Sequence, residues 1–194
     1  LDPWDLVLDI EKCEQWTPLC TVLTVSATGS EMNGGAVITN WSTHEKLSFG
    51  AKIANPVISF CDPQNTFSLS AEQTAYGLVD IFSHVLEQYL NTTTDAPLQD
   101  RFAESILTTV IENSGAVFND LKNYPARANI MFSSTLALNG LIGSGVDQDW
   151  ASHRIEHEIS AFYDIPHGAG LAIITPRWMQ EVLQQKQTKL AQYG

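Results

Sequence analysis

The stretch from residue 71 to residue 90 constrains the fold more than any other part of the chain. Its apolar residues occur nearly all the way round a helical wheel, a pattern typical of a helix that is packed on every side. Ser70 and Gln73 stand at the spacing of a capping box, which marks the start of such a helix. The sequence therefore predicts a helix over residues 71–90 at the centre of a helical bundle.

The rest of the chain divides into a strand-rich first third and a helical part. Helical patterns separated by proline-containing turns follow the central helix at about residues 98–116, 124–141, 148–162 and 167–187. Before it, short runs rich in β-branched residues predict buried strands at 20–26 and 56–60 and a hairpin at 36–40 and 46–49. We predict a mostly α fold, with a partial α/β segment over residues 1–69 and an all-helical domain over residues 70–194.

Ionisable residues interrupt the apolar helices at helical spacing. Asp80 and His84 lie four residues apart, so both side chains leave the central helix on one face. His153 and His157 repeat that spacing, and His167 follows a proline-containing turn. An ionised Asp80 would be costly to bury without a cation or strong hydrogen bonds. A hydrogen-bonded core role explains either pair alone equally well, but the combination favours a site for a divalent metal.

The candidate ligands are three imidazoles and one carboxylate, without a thiolate. This set suits Fe(II), Zn(II), Ni(II) or Mn(II), and the residues alone do not rank these ions. Four protein ligands complete a tetrahedral structural site, so catalysis requires a fifth position or one candidate that is not a ligand. His157 has a separate role open to it, because a histidine beside a metal can shuttle a proton. His44, in the predicted hairpin loop, is expected at the surface.

The acidic balance of the chain limits its partners. The formal net charge is −12 and the pI is near 4.6, which argues against nucleic acid or an anionic membrane as a partner. Cys13, Cys20 and Cys61 form no C-x-x-C pair, and free thiols fit a reducing cytoplasm. No apolar run is long enough to span a bilayer, and the first residues lack the features of a signal peptide. We expect a cytoplasmic location, and a chain that is a piece of a longer protein.

The motifs around these residues resemble a known enzyme family. In chain order they are ATGSE (27–31), GLVDIFSH (77–84), QDRFAE (99–104), NGLIGSGV (139–146), HRIEH (153–157) and IPHG (165–168). They resemble the iron-containing (group III) alcohol dehydrogenases, most of all the butanol dehydrogenase and broad aldehyde reductase branch. The resemblance extends over essentially the whole chain. It implies a dehydroquinate synthase-like architecture, in which residues 1–69 are the last strands of an α/β dinucleotide-binding domain.

The resemblance also implies a role for each candidate residue. Asp80, His84, His153 and His167 match the four metal ligands of the family, with Fe(II) as the expected ion and Zn(II) as an alternative. His157 matches a histidine beside the nicotinamide that is implicated in proton relay. The residues expected near NAD or NADP are Thr24, Thr28, Gly29, Ser30, Asn33 and Lys46. The implied activity is hydride transfer between a short-chain alcohol and an aldehyde, in an enzyme that is a homodimer at full length.

One departure from the family keeps other interpretations open. Family members carry a Gly-Gly-Gly-Ser/Thr phosphate loop ahead of a helix in their dinucleotide-binding half, and nothing in this chain supplies it. Gly34 and Gly35 lie within the hairpin pattern and cannot replace that loop. The chain could therefore act as a metal-binding helical domain without turnover of its own. A glycerol-dehydrogenase or dehydroquinate-synthase type is the other alternative, although that type uses three protein ligands and this chain offers four.

Overall fold

The structure, a computed structural model, describes residues 2–93 and 95–194. Helices predominate, which confirms the predicted mostly α fold, and none of those described is both long and apolar enough to cross a membrane. The helices are α1 Pro3–Leu8, α2 Ala71–Tyr89, α3 Pro97–Asn119, α4 Tyr124–Leu138, α5 Ala151–Tyr163, α6 His167–Glu181 and α7 Gln187–Tyr193. The strands are β1 Cys20–Val22, β2 Gly35–Asn40, β3 Glu45–Gly50 and β4 Ile58–Phe60.

Helix α2 lies at the centre of the bundle, as its apolar pattern predicts. It packs against α3, α4, α5 and α6, and Ile81 and Val85 are completely buried. The capping box is formed: the Ser70 hydroxyl accepts a hydrogen bond from the Gln73 amide, and the Gln73 side chain accepts one from the Ser70 amide. These two bonds satisfy amide groups that a helix start leaves without partners. These local hydrogen bonds therefore stabilise the first turn of α2 independently of its tertiary contacts.

The helices after α2 differ from the prediction mainly at their ends. The single helix predicted over residues 167–187 is wrong, because α6 ends at Glu181 and α7 begins at Gln187. In the turn between them, Lys186 reaches back to the end of α2, where its ammonium group donates to the carbonyl of Leu90 and lies 2.9 Å from the Asp149 carboxylate. A cation at a helix C-terminus interacts favourably with the helix dipole. The break between α6 and α7 thus places the positive charge of Lys186 at the C-terminal end of α2.

The strands form two separate two-stranded sheets. Strands β2 and β3 make the predicted antiparallel hairpin, whereas β1 and β4 pair in parallel with Thr21 opposite Ser59. The predicted burial of β1 and β4 is wrong, since Val22 is 60% exposed and Phe60 is 57% exposed. Strand β1 is also shorter than the predicted 20–26. A parallel sheet is normally covered on both faces, and among the described residues no element covers these apolar side chains.

Two glycines allow backbone segments to approach α2 closely. A Cβ on Gly168, in the first turn of α6, would lie 2.3 Å from the carbonyl oxygen of Tyr76. A Cβ on Gly77 would lie 2.5 Å from the carbonyl oxygen of Ser26, in the loop after β1. Real Cβ contacts are never this short, so these positions exclude any larger residue while the segments keep their places. Both contacts lie within one turn of Asp80, which makes them determinants of what surrounds that residue.

We predict that Gly168→Ala destabilises the protein by about 1–3 kcal/mol, because the added methyl group must push α6 away from α2. The matched control is Gly115→Ala in α3, where a Cβ would meet nothing within 4 Å. Gly115→Ala should stabilise the protein by about 0.5–1 kcal/mol, since alanine is more favourable than glycine at an exposed position inside a helix. Urea unfolding of the intact protein measures both free energies. Equal stability of Gly168→Ala and the wild type would contradict the close helix contact.

Candidate metal centre

Helix α2 carries the first two candidate ligands on one buried face. Asp80 is 4% exposed and His84, one turn later, is 5% exposed. Their spacing of four residues brings the Nε2 atom of His84 to 3.5 Å from the Oδ1 atom of Asp80. The expectation that both side chains share one face is therefore confirmed, and that face points into the protein.

Helices α5 and α6 bring the other two candidates to the same place. His153 lies in the first turn of α5 and is buried, and His167 is the first residue of α6. The chain reverses between these helices at Asp164, which ends α5 in the left-handed conformation with φ of 49°. Pro166 then precedes the start of α6 with an extended backbone. This short reversal turns α6 back against α5 and returns His167 to the neighbourhood of His153.

One oxygen atom lies at the centre of the arrangement. The Nε2 atoms of His84, His153 and His167 lie 3.5, 3.6 and 3.5 Å from the Oδ1 atom of Asp80. Among the described residues that buried oxygen has no hydrogen-bond partner, and the same is true of the Nε2 atom of His153. Ligand atoms of Asp80, His153 and His167 all lie within 4.8 Å of one another. The structure thus brings together the four residues expected as metal ligands.

The spacing of these atoms fits a bound transition-metal ion. Around an ion with bonds of about 2.1 Å, ligand atoms at angles near the tetrahedral value lie about 3.4 Å apart, and a five-coordinate ion keeps one further position for a substrate. The three distances of 3.5–3.6 Å from Asp80 agree with that value and are too long for direct hydrogen bonds. A buried carboxylate oxygen without a partner is costly, and a cation among the four atoms would remove the cost. The donor set therefore fits a divalent metal on chemical and geometric grounds.

The electrostatics of the cluster also favour an ionised Asp80. Burial acts to raise the pKa of Asp80, but the surrounding imidazoles of His84, His153 and His167 outweigh it and lower that pKa. Burial lowers the pKa of His84 to about 4, so its imidazole is neutral at pH 7. Asp80 and His84 on α2 are accordingly in the forms that bind a metal. Against the effect of burial, the carboxylates of Asp80 and Glu87 raise the pKa of His153 to about 9, so a metal would displace a proton from that ring.

Two further carboxylates, not anticipated from the sequence, contact the histidines on their far side. Glu87 bonds the Nδ1 atom of His153, and Glu156 bonds the Nδ1 atom of His167. Both glutamates are completely buried. The signal was present, because Glu87 follows Asp80 by seven residues in an apolar helix, which places the two on one face. An acidic residue in such a position calls for a partner just as Asp80 does.

His157 lies beside the cluster formed by Asp80, His84, His153 and His167, next to two of its histidines. Its partly buried ring is 5.3 Å from the ring of His167 and 6.3 Å from that of His153, measured between centroids. Burial lowers the pKa of His157 to about 4, and the charges of His167 and Lys46 act in the same direction. A neutral imidazole at this position can accept a proton from a group bound next to His167.

The residues expected to bind a dinucleotide lie in and around the loop after β1. Thr24, Thr28 and Ser30 line a depression of about 300 Å³. Gly29 adopts φ of 59° and packs closely on the carbonyl oxygen of Ser134 in α4. The side chain of Asn33 is used within the loop, where it donates hydrogen bonds to two loop carbonyls and accepts one from the Gly35 amide. Three hydroxyl side chains are therefore open to a ligand, while Gly29 and Asn33 shape the loop.

The β2–β3 hairpin contacts α5 through two of its residues. The ammonium group of Lys46 donates to the Ser160 hydroxyl at 2.6 Å and lies 3.6 Å from the Glu156 carboxylate. His44 is exposed, as expected, and stacks on the ring of Phe162. Lys46 thus stands next to the metal cluster, one side chain removed from His167. Its expected contact with a cofactor stays a prediction.

Two family models match consecutive parts of the chain. The model of the "Fe-containing alcohol dehydrogenase family, C-terminal" matches residues 74–194, which is more than half of the chain. The "Iron-containing alcohol dehydrogenase" model matches residues 2–63. The first match includes all four candidate ligands and His157, and the second includes the loop and the hairpin. The proposed division into domains at residue 70 stays a prediction.

Individual relatives agree with the family models. The chain is 48% identical to the probable NADH-dependent butanol dehydrogenase 1 of Bacillus subtilis, covering 98% of this chain and 49% of that protein. It is 44% identical to the NADPH-dependent aldehyde reductase YqhD of Escherichia coli, covering 100% of this chain and 50% of that protein. The chain thus spans about half the length of the curated relatives it matches.

Solved structures show the same fold. The crystal structure of Escherichia coli YqhD superimposes with a TM-score of 0.96 at 43% identity, covering 100% of this chain and 50% of that one. A butanol dehydrogenase A from Thermotoga maritima superimposes with a TM-score of 0.92 at 42% identity, covering 97% of this chain and 48% of that one. These relatives confirm the resemblance to the butanol dehydrogenase and aldehyde reductase branch. The chain belongs to the iron-containing alcohol dehydrogenase family.

Proposed function

We propose that the intact protein carrying this chain interconverts short-chain primary alcohols and aldehydes by hydride transfer with NAD(P). The observation that carries the proposal is the buried Asp80 oxygen, which has no hydrogen-bond partner in the described part of the chain and is faced by three imidazole nitrogens. Relatives named as butanol dehydrogenases and as an aldehyde reductase support the substrate class. The cluster therefore serves catalysis in a dehydrogenase rather than structure alone.

Asp80, His84, His153 and His167 are the proposed ligands of a divalent ion, with Fe(II) as the expected metal and Zn(II) as the alternative. When bound, such an ion supplies Lewis-acid polarisation of the alcohol or aldehyde oxygen. The name of the family supports iron, and the ligand set accepts either ion. Asp80, His84 and His153 are buried and His167 is partly exposed, so the proposed ligands would fix the position of the ion while one of them borders solvent.

His157 is the proposed proton carrier. Its ring lies next to that of His167 but outside the group of atoms around Asp80, and one of its nitrogens lies within 4.8 Å of ligand atoms of Glu156 and His167. Because its pKa is depressed to about 4, the ring is neutral at pH 7 and accepts the hydroxyl proton in the oxidation direction. Its partial exposure gives that proton a route to solvent.

Thr24, Thr28, Gly29, Ser30, Asn33 and Lys46 are the proposed cofactor-binding residues. A nicotinamide cofactor supplies the hydride chemistry, and the protein orients it. The open hydroxyl groups at the 300 Å³ depression can donate to a ribose or an amide, and the loop contacts α2 at Gly77, three residues before Asp80. Relatives named for NADH and for NADPH support a nicotinamide cofactor without choosing between the two.

A second candidate function is metal binding by this chain without turnover of its own. The exposed apolar residues of β1 and β4 favour it, since within the described residues the cofactor side of the site is only partly covered. The two candidates differ in whether this chain alone oxidises NAD(P)H. A homodimeric assembly and a cytoplasmic location are further proposals, to be tested by light scattering of the intact protein and by cell fractionation.

We predict that His153→Ala and His167→Ala each lose most of the bound metal, because each removes one nitrogen from the atoms around Asp80. Elemental analysis of the purified intact protein measures the metal per chain. His44→Ala is the matched control, since His44 is exposed and should leave the metal content unchanged. Wild-type metal content in both ligand variants would refute the assignment.

We expect His157→Ala to keep its metal and to lose turnover by about 100-fold or more, the usual contribution of a positioned acid–base group. The measurements are elemental analysis and the steady-state rate of alcohol oxidation by the intact protein. Turnover equal to that of the wild type would exclude the proton-carrier role. Loss of metal in this variant would instead make His157 a ligand.

The proposed reaction itself is tested with butanal and NADH or NADPH. The intact protein should oxidise one or both cofactors only when butanal is present, and a metal chelator should abolish the rate. The same assay on this chain alone distinguishes the two candidate functions, because turnover by the chain would exclude the second. Absence of any butanal-dependent oxidation by the metal-loaded intact protein would count against the proposed substrate class.

A further inference from the structure

Two buried glutamates form a second layer around the metal cluster. We propose that Glu87 and Glu156 are positioning residues, each of which fixes one metal-binding histidine in the tautomer and orientation that the ion requires. The proposal rests on the proposed metal centre and extends it to two residues outside the four proposed ligands. The contacts of each glutamate carry the argument.

The first step concerns which nitrogen of each ring faces the ion. A neutral imidazole has one N–H donor and one lone pair. The carboxylates of Glu87 and Glu156 accept the Nδ1–H of His153 and His167 respectively, which leaves the lone pair on Nε2. In both rings Nε2 is the atom near the Asp80 oxygen, at 3.6 and 3.5 Å. The two carboxylates therefore select the tautomer that can bind a metal at this point.

Glu87 holds the ring and the backbone of His153 at once. One carboxylate oxygen bonds Nδ1 of His153, and the other accepts the amide of Ser152 at 2.5 Å and that of His153 at 3.3 Å. These amides lie in the first turn of α5, where the N-cap residue Trp150 makes no side-chain hydrogen bond and Asp149 accepts only the amide of Ala151. A carboxylate is favourable at a helix N-terminus, so Glu87 ties the start of α5 to α2. The residue links two ligand-bearing helices through one side chain.

Glu156 holds His167 from the neighbouring helix. One oxygen bonds Nδ1 of His167 and lies 3.6 Å from the ammonium group of Lys46. The side chain is pressed against α6, where a Cβ on Gly170 would lie 2.6 Å from Cγ of Glu156. Glycine at this position lets the carboxylate lie directly on the first turn of α6. The crossing of α5 and α6 thus leaves the carboxylate little freedom to move.

The charges of Asp80, of the two glutamates and of Lys46 are consistent with a bound divalent ion. Asp80, Glu87 and Glu156 contribute three buried negative charges when ionised, and Lys46 contributes one positive charge. A divalent ion would bring the cluster to neutrality, which is the condition under which buried charges are tolerated. Replacing either glutamate with glutamine keeps the shape of the side chain and removes one of these charges. The metal should then be bound less tightly, because the ligand ring loses its charged partner.

The test is the Zn²⁺ affinity of the intact protein, measured by competition with a chromogenic chelator. Glu87→Gln and Glu156→Gln should each weaken binding by about 10–100-fold, in proteins whose metal-free forms still unfold cooperatively. Glu158→Gln is the matched control, since Glu158 is an exposed glutamate on α5 and should change affinity less than twofold. In the Co²⁺-loaded protein the two buried variants should alter the visible absorption bands and the control should not. Affinities within twofold of the wild type for both variants would overturn the proposal.

A measurement on the wild type covers the case in which a variant does not fold. In Zn²⁺-loaded protein with ¹⁵N-labelled histidine, NMR should show a protonated Nδ1 and a metal-bound Nε2 for His153 and His167. Metal bound through Nδ1 of either ring would overturn the proposal. Failure of the wild type to bind Zn²⁺, Co²⁺ or Fe²⁺ would overturn the metal centre itself, whereas tight binding with unaffected glutamine variants would reject only the positioning role.

Discussion

The buried carboxylate of Asp80 is the constraint on which the rest of the structure depends. It stands in the middle of the most buried helix, where an unpaired charge is not tolerated. The groups that surround this carboxylate come from three helices, because α2, α5 and α6 each direct an imidazole nitrogen to the same oxygen. The same geometry fits a transition-metal ion, which would compensate the charge of Asp80. The packing of α2, α5 and α6 that forms the helical part thus also brings the residues of the candidate active site together.

The helices can approach so closely because small residues and carboxylates stand at their contacts. Gly168 lets α6 touch the backbone of α2, and Gly170 makes room for Glu156. Glu87 accepts the amides of Ser152 and His153 at the start of α5, so the side chain proposed to orient His153 also stabilises a helix start. Lys46 extends the network to the hairpin by its contacts with Glu156 and Ser160. The proposed cofactor loop is attached to α2 by the contact between Ser26 and Gly77.

Much of the helical part could be predicted from residue patterns, and less of the strand-rich part. The apolar pattern and capping box of α2 and the histidine spacings are local features, and they were confirmed. The burial of β1 and β4 was predicted wrongly. An apolar run indicates that a strand tends to be buried, but it does not show which part of the protein would cover it. The break between α6 and α7 was missed, since it depends on Lys186 meeting the end of α2. Glu87 and Glu156 were missed because their partners are remote in the sequence or on another helix.

By itself the sequence determined the helices, the residues that could bind a metal and the family, because these depend on spacing and on side-chain chemistry along one chain. Only the tertiary structure decided that His84, His153 and His167 converge on one oxygen of Asp80. It alone assigned Glu87 and Glu156 to His153 and His167 and set His157 apart. The physical reason is that distances between helices follow from backbone packing at positions such as Gly168, and no local pattern encodes which side chain an adjacent helix presents.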